Sequence, residues 1–190
     1  MNIVIDNYDS FTYNLVQYIG EINSNIKVFK NDEISIDTII KLNPDHIIIS
    51  PGPGRPENSG ISIDIIKELK DKFPILGICL GHQAIGLAHR AKIINADDIF
   101  HGKTSKIYHN NDSIFYNIPS PFTATRYHSL IIDRKSLNGD FKIIAKTSSD
   151  VIMGIKHNKF ELYGLQFHPE SILTRVGLQI IKNFLNENIR

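Results

Sequence analysis

PILGICLGHQAIG, residues 74–86, holds the only cysteine of a 190-residue chain, set between two glycines. The apolar run at 74–79 reads as a buried strand, and HQAIGLAHR after it reads as a helix. Between them, Gly77-Ile78-Cys79-Leu80-Gly81 has the spacing of the G-x-S-x-G nucleophile elbow, with sulfur in place of oxygen. A nucleophile on that turn sits in a strained backbone conformation, and the flanking glycines let strand and helix pass closely. The helix N-terminus favours an anionic sulfur, which is the reactive form. The Leu80 N–H, next after the nucleophile, points where an oxyanion would develop. The usual fate of a lone cysteine is a small buried hydrophobe, so this stretch alone leaves both readings open.

The sequence around it repeats one pattern. NIVID at 2–6 reads as a buried strand and 10–22 as a helix with Phe11, Leu15, Tyr18 and Ile22 on one face. A strand at 26–30 and a helix at 34–42 follow. HIIIS at 46–50 has the near-continuous apolar character of a strand buried on both faces of a parallel sheet. A helix at 61–71 then leads into the strand at 74–79. This alternation predicts an α/β fold with a mostly parallel sheet flanked by helices. From about 92 to 165 the pattern loosens into shorter strands and turns whose pairing has no order in the sequence. A last helix is expected at 172–187, with Leu173, Val176, Ile180 and Phe184 on one face. No repeat or linker interrupts the chain, so residues 1–190 are read as one domain.

Composition removes several classes of function. The formal net charge is +1, which provides no electrostatic footprint for nucleic acid or an anionic membrane. No run reaches the length of a membrane span, and MNIVIDNYDS lacks the basic start of a secretory signal. One cysteine forms no internal disulfide, which fits a reducing compartment. The eight histidines have no cysteines at zinc-ligand spacing, so no metal site is expected. Isoleucine occurs 35 times against six alanines, which reads as the coding bias of an AT-rich genome such as that of an organelle or endosymbiont.

Ligands of open α/β sheets bind beyond the carboxyl ends of the strands, and two more features lie there. Gln166-Phe167-His168-Pro169-Glu170 follows the apolar strand Leu162–Leu165. In an extended chain His168 and Glu170 project to the same side, as the base and orienting group that a cysteine nucleophile needs. The plainer alternatives are a core histidine and a carboxylate at a helix N-terminus. Ser50-Pro51-Gly52-Pro53-Gly54 follows the HIII strand. Its glycines allow backbone to approach a ligand, and beside an elbow it is a natural source of a second oxyanion donor. By itself it reads as an ordinary turn. Tyr127-His128-Ser129-Leu130 adds polar groups without a spacing that carries a mechanism of its own.

Together these residues resemble the class I, triad-type glutamine amidotransferases, most closely the glutaminase components of the anthranilate and aminodeoxychorismate synthases. The stretches that carry the resemblance are DNYDSFTYNLVQY, SPGPGRP, GICLGHQAIG, HGKTS, PFTATRYHSL and LQFHPESILT, in that order. The resemblance implies a flavodoxin-like arrangement and a Cys79-His168-Glu170 triad. It implies Gly52 and Leu80 as oxyanion donors, and Gly52, Pro53, Gly54, Gln83, Ser129 and Leu130 as the residues that bind L-glutamine. It further implies ammonia transfer to a chorismate-using synthase subunit in tryptophan or folate supply, with no cofactor. The setting would be the cytoplasm or a plastid stroma, with no nucleic acid or membrane partner. Asp9-Ser10-Phe11 and His101-Gly102-Lys103 are candidate contacts for that subunit. The sequence departs from the family at His89-Arg90-Ala91-Lys92, where a Gly-Gly turn is usual. A stand-alone γ-glutamyl hydrolase would use a similar elbow, and a non-catalytic module would keep the fold without the complete Cys-His-Glu set.

Overall fold

The computed structural model describes residues 1–98 and 100–186. The first half alternates strictly: β1 (Asn2–Asp6), α1 (Thr12–Ile22), β2 (Ile26–Lys30), α2 (Ile36–Leu42), β3 (His46–Ile49), α3 (Ser62–Leu69), β4 (Ile75–Ile78) and α4 (Leu80–Ala88). Six short strands follow: β5 (Ile93–Asn95), β6 (Lys103–His109), β7 (Phe122–Arg126), β8 (Leu130–Ile132), β9 (Phe141–Lys146) and β10 (Ile152–His157). The chain then returns through β11 (Leu162–Leu165) and ends in α5 (Gly177–Asn186).

The parallel half of the sheet runs β2-β1-β3-β4-β11, the flavodoxin-like order. It continues through β10, β9, β6 and β7, all antiparallel, while β5 and β8 form a separate pair. The loosened stretch is therefore an antiparallel extension inserted between the last two parallel strands. Alternation along the central strands divides the core. Val4, Ile48, Leu76, Tyr163 and Leu165 pack with α1 and α5 on one face. Ile3, Ile5, Ile47, Ile49 and Ile75 pack with α2, α3 and α4 on the other. Among the described residues no helix is long and apolar enough to cross a membrane.

Two expectations are corrected. In α1 the buried stripe is Thr12, Leu15 and Ile19, with Phe11, Tyr18 and Ile22 only half-buried at its margins. The last helix begins at Gly177 rather than 172, and residue 187 lies outside the described residues. Thr174 explains the late start. Its hydroxyl donates to the His168 carbonyl (2.8 Å) and accepts the Thr125 N–H (3.0 Å), which commits residues 168–176 to a series of turns. Ile172 and Leu173 are consequently left exposed.

The departure at His89-Arg90-Ala91 has a clear structural reading. The Ala91 N–H bonds to the Gly86 carbonyl and the Arg90 N–H to that of Leu87, closing α4 in a Schellman motif. Arg90 is the residue forced to positive φ (68°), where glycine is usual, and its side chain is exposed. Left-handed backbone costs a non-glycine residue about 1–2 kcal/mol, against about 0.4–1 kcal/mol of extra unfolded-state entropy for glycine. Arg90→Gly is therefore expected to stabilise the protein by about 0.5–1 kcal/mol and raise Tm by about 1–4 °C. Thermal unfolding followed by circular dichroism measures it.

Candidate active site

Four neighbouring parallel strands end side by side, and each delivers one part of the site. After β4, Cys79 occupies φ 51°, ψ −97°, outside the regions open to ordinary residues, and its carbonyl accepts the Gln83 N–H (3.0 Å) to start α4. The turn is that tight because strand and helix touch. A Cβ on Gly77 would lie 2.5 Å from the Gly81 carbonyl, and one on Gly81 would lie 2.6 Å from the Ile49 carbonyl of β3. Leu80 opens the helix, so its N–H belongs to the first turn, which has no intrahelical acceptors.

After β1, Asn7 fixes the Ser50–Gly54 loop. Its N–H donates to Ser50 Oγ and its Nδ2 to the Ser50 carbonyl, both at 2.9 Å. Its Oδ1 accepts from Asn31 Nδ2 (2.9 Å) and Ser62 Oγ (3.1 Å). Ser50, expected to end a strand, instead serves this network. Gly52 lies so close that a Cβ there would fall 2.6 Å from Asn7 Cβ and 2.7 Å from Leu80 Cδ2. The two expected oxyanion donors are thus neighbours. Sequence reasoning missed Asn7; its position just after a strand end was the available signal.

After β11, the His168 N–H bonds to the Thr125 carbonyl (3.0 Å), and its Nδ1 faces Glu170 Oε1 at 2.6 Å. The expected contact is present, but the backbone there is a turn rather than a strand. Glu170 also precedes α5 by seven residues, which removes the helix-terminus alternative. Both side chains are buried. Burial alone would push the His168 imidazole down. The charge of Cys79, and then the hydrogen bond and charge of Glu170, outweigh it and hold the ring well above its ordinary value. The other ring nitrogen, Nε2, is buried and makes no hydrogen bond among the described residues. Tyr127 and Phe11 close over the ring edge-on, with centroids 5.1 and 6.3 Å away. The arrangement can hold a protonated imidazole against the Glu170 carboxylate.

The cleft in front of Cys79 has a volume of about 150 Å³ and is lined by Gly52, Pro53, Gly54, Cys79, Gln83, Tyr127, His128, Ser129 and Leu130. Every expected glutamine-binding residue meets here. His128 explains how the 127–130 segment is held. Its Nε2 accepts from Arg126 Nε and its Nδ1 faces the Leu130 carbonyl, both at 3.0 Å. Burial and the adjacent guanidinium bring it down to about 3, so it is neutral and Nδ1 carries the proton. A larger depression of about 450 Å³, lined by Asn2, Asp45, His46 and Lys72 among others, lies near the amino ends of β1 and β3, and among the described residues no cysteine, serine or threonine lines it.

A buried cysteine, histidine and glutamate on an elbow, facing a small polar cleft, are the groups that nucleophilic catalysis through a thioester would require. The family described as glutamine amidotransferase class-I matches residues 3–188, and the chain belongs to it. Anthranilate synthase component 2 of Pyropia yezoensis is 54% identical over 186 residues, covering 97% of this chain and 98% of that protein. The aminodeoxychorismate/anthranilate synthase component 2 of Bacillus subtilis is 48% identical, covering 97% and 95%. The bifunctional protein TrpGD of Thermotoga maritima is 56% identical, but this chain spans only 32% of its length. Among crystal structures, that of a GMP synthase subunit from Thermoplasma acidophilum superposes with a TM-score of 0.84 at 27% identity, over 97% of this chain and 92% of that one.

Gly52→Ala tests the loop contact. The added Cβ must displace either Asn7 or Leu80, and loss of one oxyanion donor is worth about 10²–10³ in kcat. Glutamine-dependent turnover should fall by that order, while alkylation of the Cys79 thiol continues.

Proposed function

We propose that the chain is the glutaminase subunit of anthranilate synthase, releasing ammonia from L-glutamine for a chorismate-using synthase subunit in tryptophan biosynthesis. The observation that carries the chemistry is His168, set between Glu170 at 2.6 Å and the only thiol of the chain. The component 2 relatives, matched over nearly their whole lengths, support the role in the pathway. The same role in aminodeoxychorismate synthesis, or service to both synthases, is the second reading, favoured by the dual name of the Bacillus relative.

In this reading the Cys79 thiolate attacks the side-chain amide carbon of glutamine, and the oxyanion rests on the N–H groups of Leu80 and Gly52. His168 donates its proton to the departing nitrogen as the C–N bond breaks, giving ammonia and a γ-glutamyl thioester. Neutral His168 then takes a proton from water, whose oxygen attacks the thioester. The C–S bond breaks, glutamate leaves and the thiolate is restored. Glu170 holds the ring with Nδ1 protonated and stabilises the imidazolium. Gln83, Ser129, Leu130 and the Gly52–Gly54 loop bind the substrate in the cleft.

The two candidate docking segments converge on one ring beside the base: Phe11 and His101 both pack against Tyr127, with centroids 5.3 and 5.6 Å away. Asp9 is otherwise engaged, its carboxylate accepting the Phe11 N–H at 2.7 Å. Lys103 is exposed at the start of β6. A synthase subunit seated on these segments would press on the cover of His168.

With the partner present, Cys79→Ser should abolish glutamine-dependent product while synthesis from added ammonium salt persists. Substantial glutamine-driven turnover by the mutant removes Cys79 from the mechanism. Separately, glutamine hydrolysis by the isolated chain should rise several-fold on titration with chorismate and the synthase subunit, and Lys103→Glu should blunt the rise. A full rate in isolation would instead indicate a stand-alone hydrolase.

A further inference from the structure

Gln166 is fully buried at the end of β11, and no step above uses it. Its neighbours Leu165 and Phe167 point into the core shared with α1 and α5, so alternation turns Gln166 the other way, toward α4 and Cys79. A buried amide in that position is costly unless its hydrogen bonds are made. Both of its ends are engaged. Its Oε1 accepts from Gln83 Nε2 at 3.3 Å, and its Nε2 donates to Cys79 Sγ at 3.7 Å.

The orientation of this chain of amides follows from one unambiguous atom. The Leu130 carbonyl can only accept, so Gln83 presents its NH₂ group there, at 3.0 Å. The same NH₂ group faces Gln166, which therefore presents its oxygen to Gln83 and its own NH₂ to the sulfur. The donor is held in place before any substrate arrives, by a residue that also lines the cleft.

We propose that Gln166 is a further functional group of the hydrolytic site: its side-chain amide, oriented by Gln83, donates a hydrogen bond to the Cys79 sulfur and stabilises it as the thiolate. This rests on the reading of Cys79 as the nucleophile. A thiol is a weak acceptor and a thiolate a strong one, so the bond strengthens when sulfur carries charge and weakens in the thioester. It therefore acts at two points. Before attack it raises the anionic fraction and fixes the direction of the lone pair. At thioester breakdown the electrons of the C–S bond return to sulfur, where the Gln166 N–H again meets them. Gln166 gives up no proton in either step; the protons move through His168 and water.

Because Cys79 is the only cysteine, alkylation by iodoacetamide reads this sulfur alone. The pH profile of alkylation of the isolated full chain belongs to the coupled Cys79-His168 pair. Gln166→Leu removes the donor at similar volume and should move the midpoint of that profile upward by about one pH unit. It should also lower kcat for glutamine by about tenfold or more, with a smaller change in KM. Gln166→Glu keeps the shape but sets a carboxylate beside the sulfur, and should move the midpoint further upward. Midpoints equal to that of the parent in folded variants overturn the proposal. So does loss of fold in both variants, which would assign Gln166 to packing alone. If Gln166→Leu alone fails to fold, the Gln166→Glu profile decides. The reading of Cys79 fails separately, through retained glutamine turnover in Cys79→Ser. A dead Cys79→Ser beside an unshifted Gln166 profile refutes only the role given to Gln166.

Discussion

The whole site depends on how closely β4 and α4 approach. At Gly77 and Gly81 the strand and the helix touch backbone to backbone, and Gly81 meets the carbonyl of the neighbouring β3 as well. No side chain fits there without moving main chain. The chain must therefore reverse within two residues, which drives Cys79 into an outlying backbone conformation and lifts its sulfur above the sheet. On the far side of the helix, Gly164 of β11 lies against His82 in the same manner, a Cβ there falling 2.7 Å from the ring. The strand that leads to His168 is thus seated as closely as the one that leads to Cys79.

Within this frame three buried histidines are held in different states by their neighbours. His82 has burial acting on it with little to oppose it, falls to about 3 and is neutral. His128 is buried beside a guanidinium and is likewise neutral, which suits it to accept from Arg126 and donate to the Leu130 carbonyl. His168 is buried as deeply, yet a carboxylate on one side and sulfur on the other overturn the desolvation and favour the charged ring. Burial is common to all three, and only His168 has negative charge beside it to overcome that burial.

The sequence made legible what depends on backbone constraint. Gly77, Cys79 and Gly81 announce the elbow because few residues tolerate that turn, and the isoleucine runs announce parallel strands because both faces are buried. His168 and Glu170 were readable as a pair through their spacing, though a turn, not an extended strand, brings them together. The residues of the cleft came from likeness to a family, since nothing in the spacing of Gln83, Ser129 and Leu130 places them in one pocket. Asn7, Gln166 and the structural task of His128 were hidden because each works through partners that local patterning does not reveal. The order of β6 to β10 was equally hidden, as antiparallel pairing is settled by tertiary contacts. The delayed start of α5 arises from one threonine hydroxyl bonded to a residue six positions earlier, a contact that helical periodicity does not record.

The late return of β11 to the side of β4 has a consequence for the order of events during synthesis. Gln166 and Cys79 are separated by 87 positions, and six strands are made between the strands that carry them. When α4 has left the ribosome, the elbow can exist, but the slot next to β4 is empty and the sulfur has neither base nor amide beside it. Pairing across so long an interval is slow relative to local structure. On the reading proposed for Cys79, the nascent chain therefore holds its thiol without His168 or Gln166 until β11 is inserted, and the parts of the site come together only once that strand has joined the sheet.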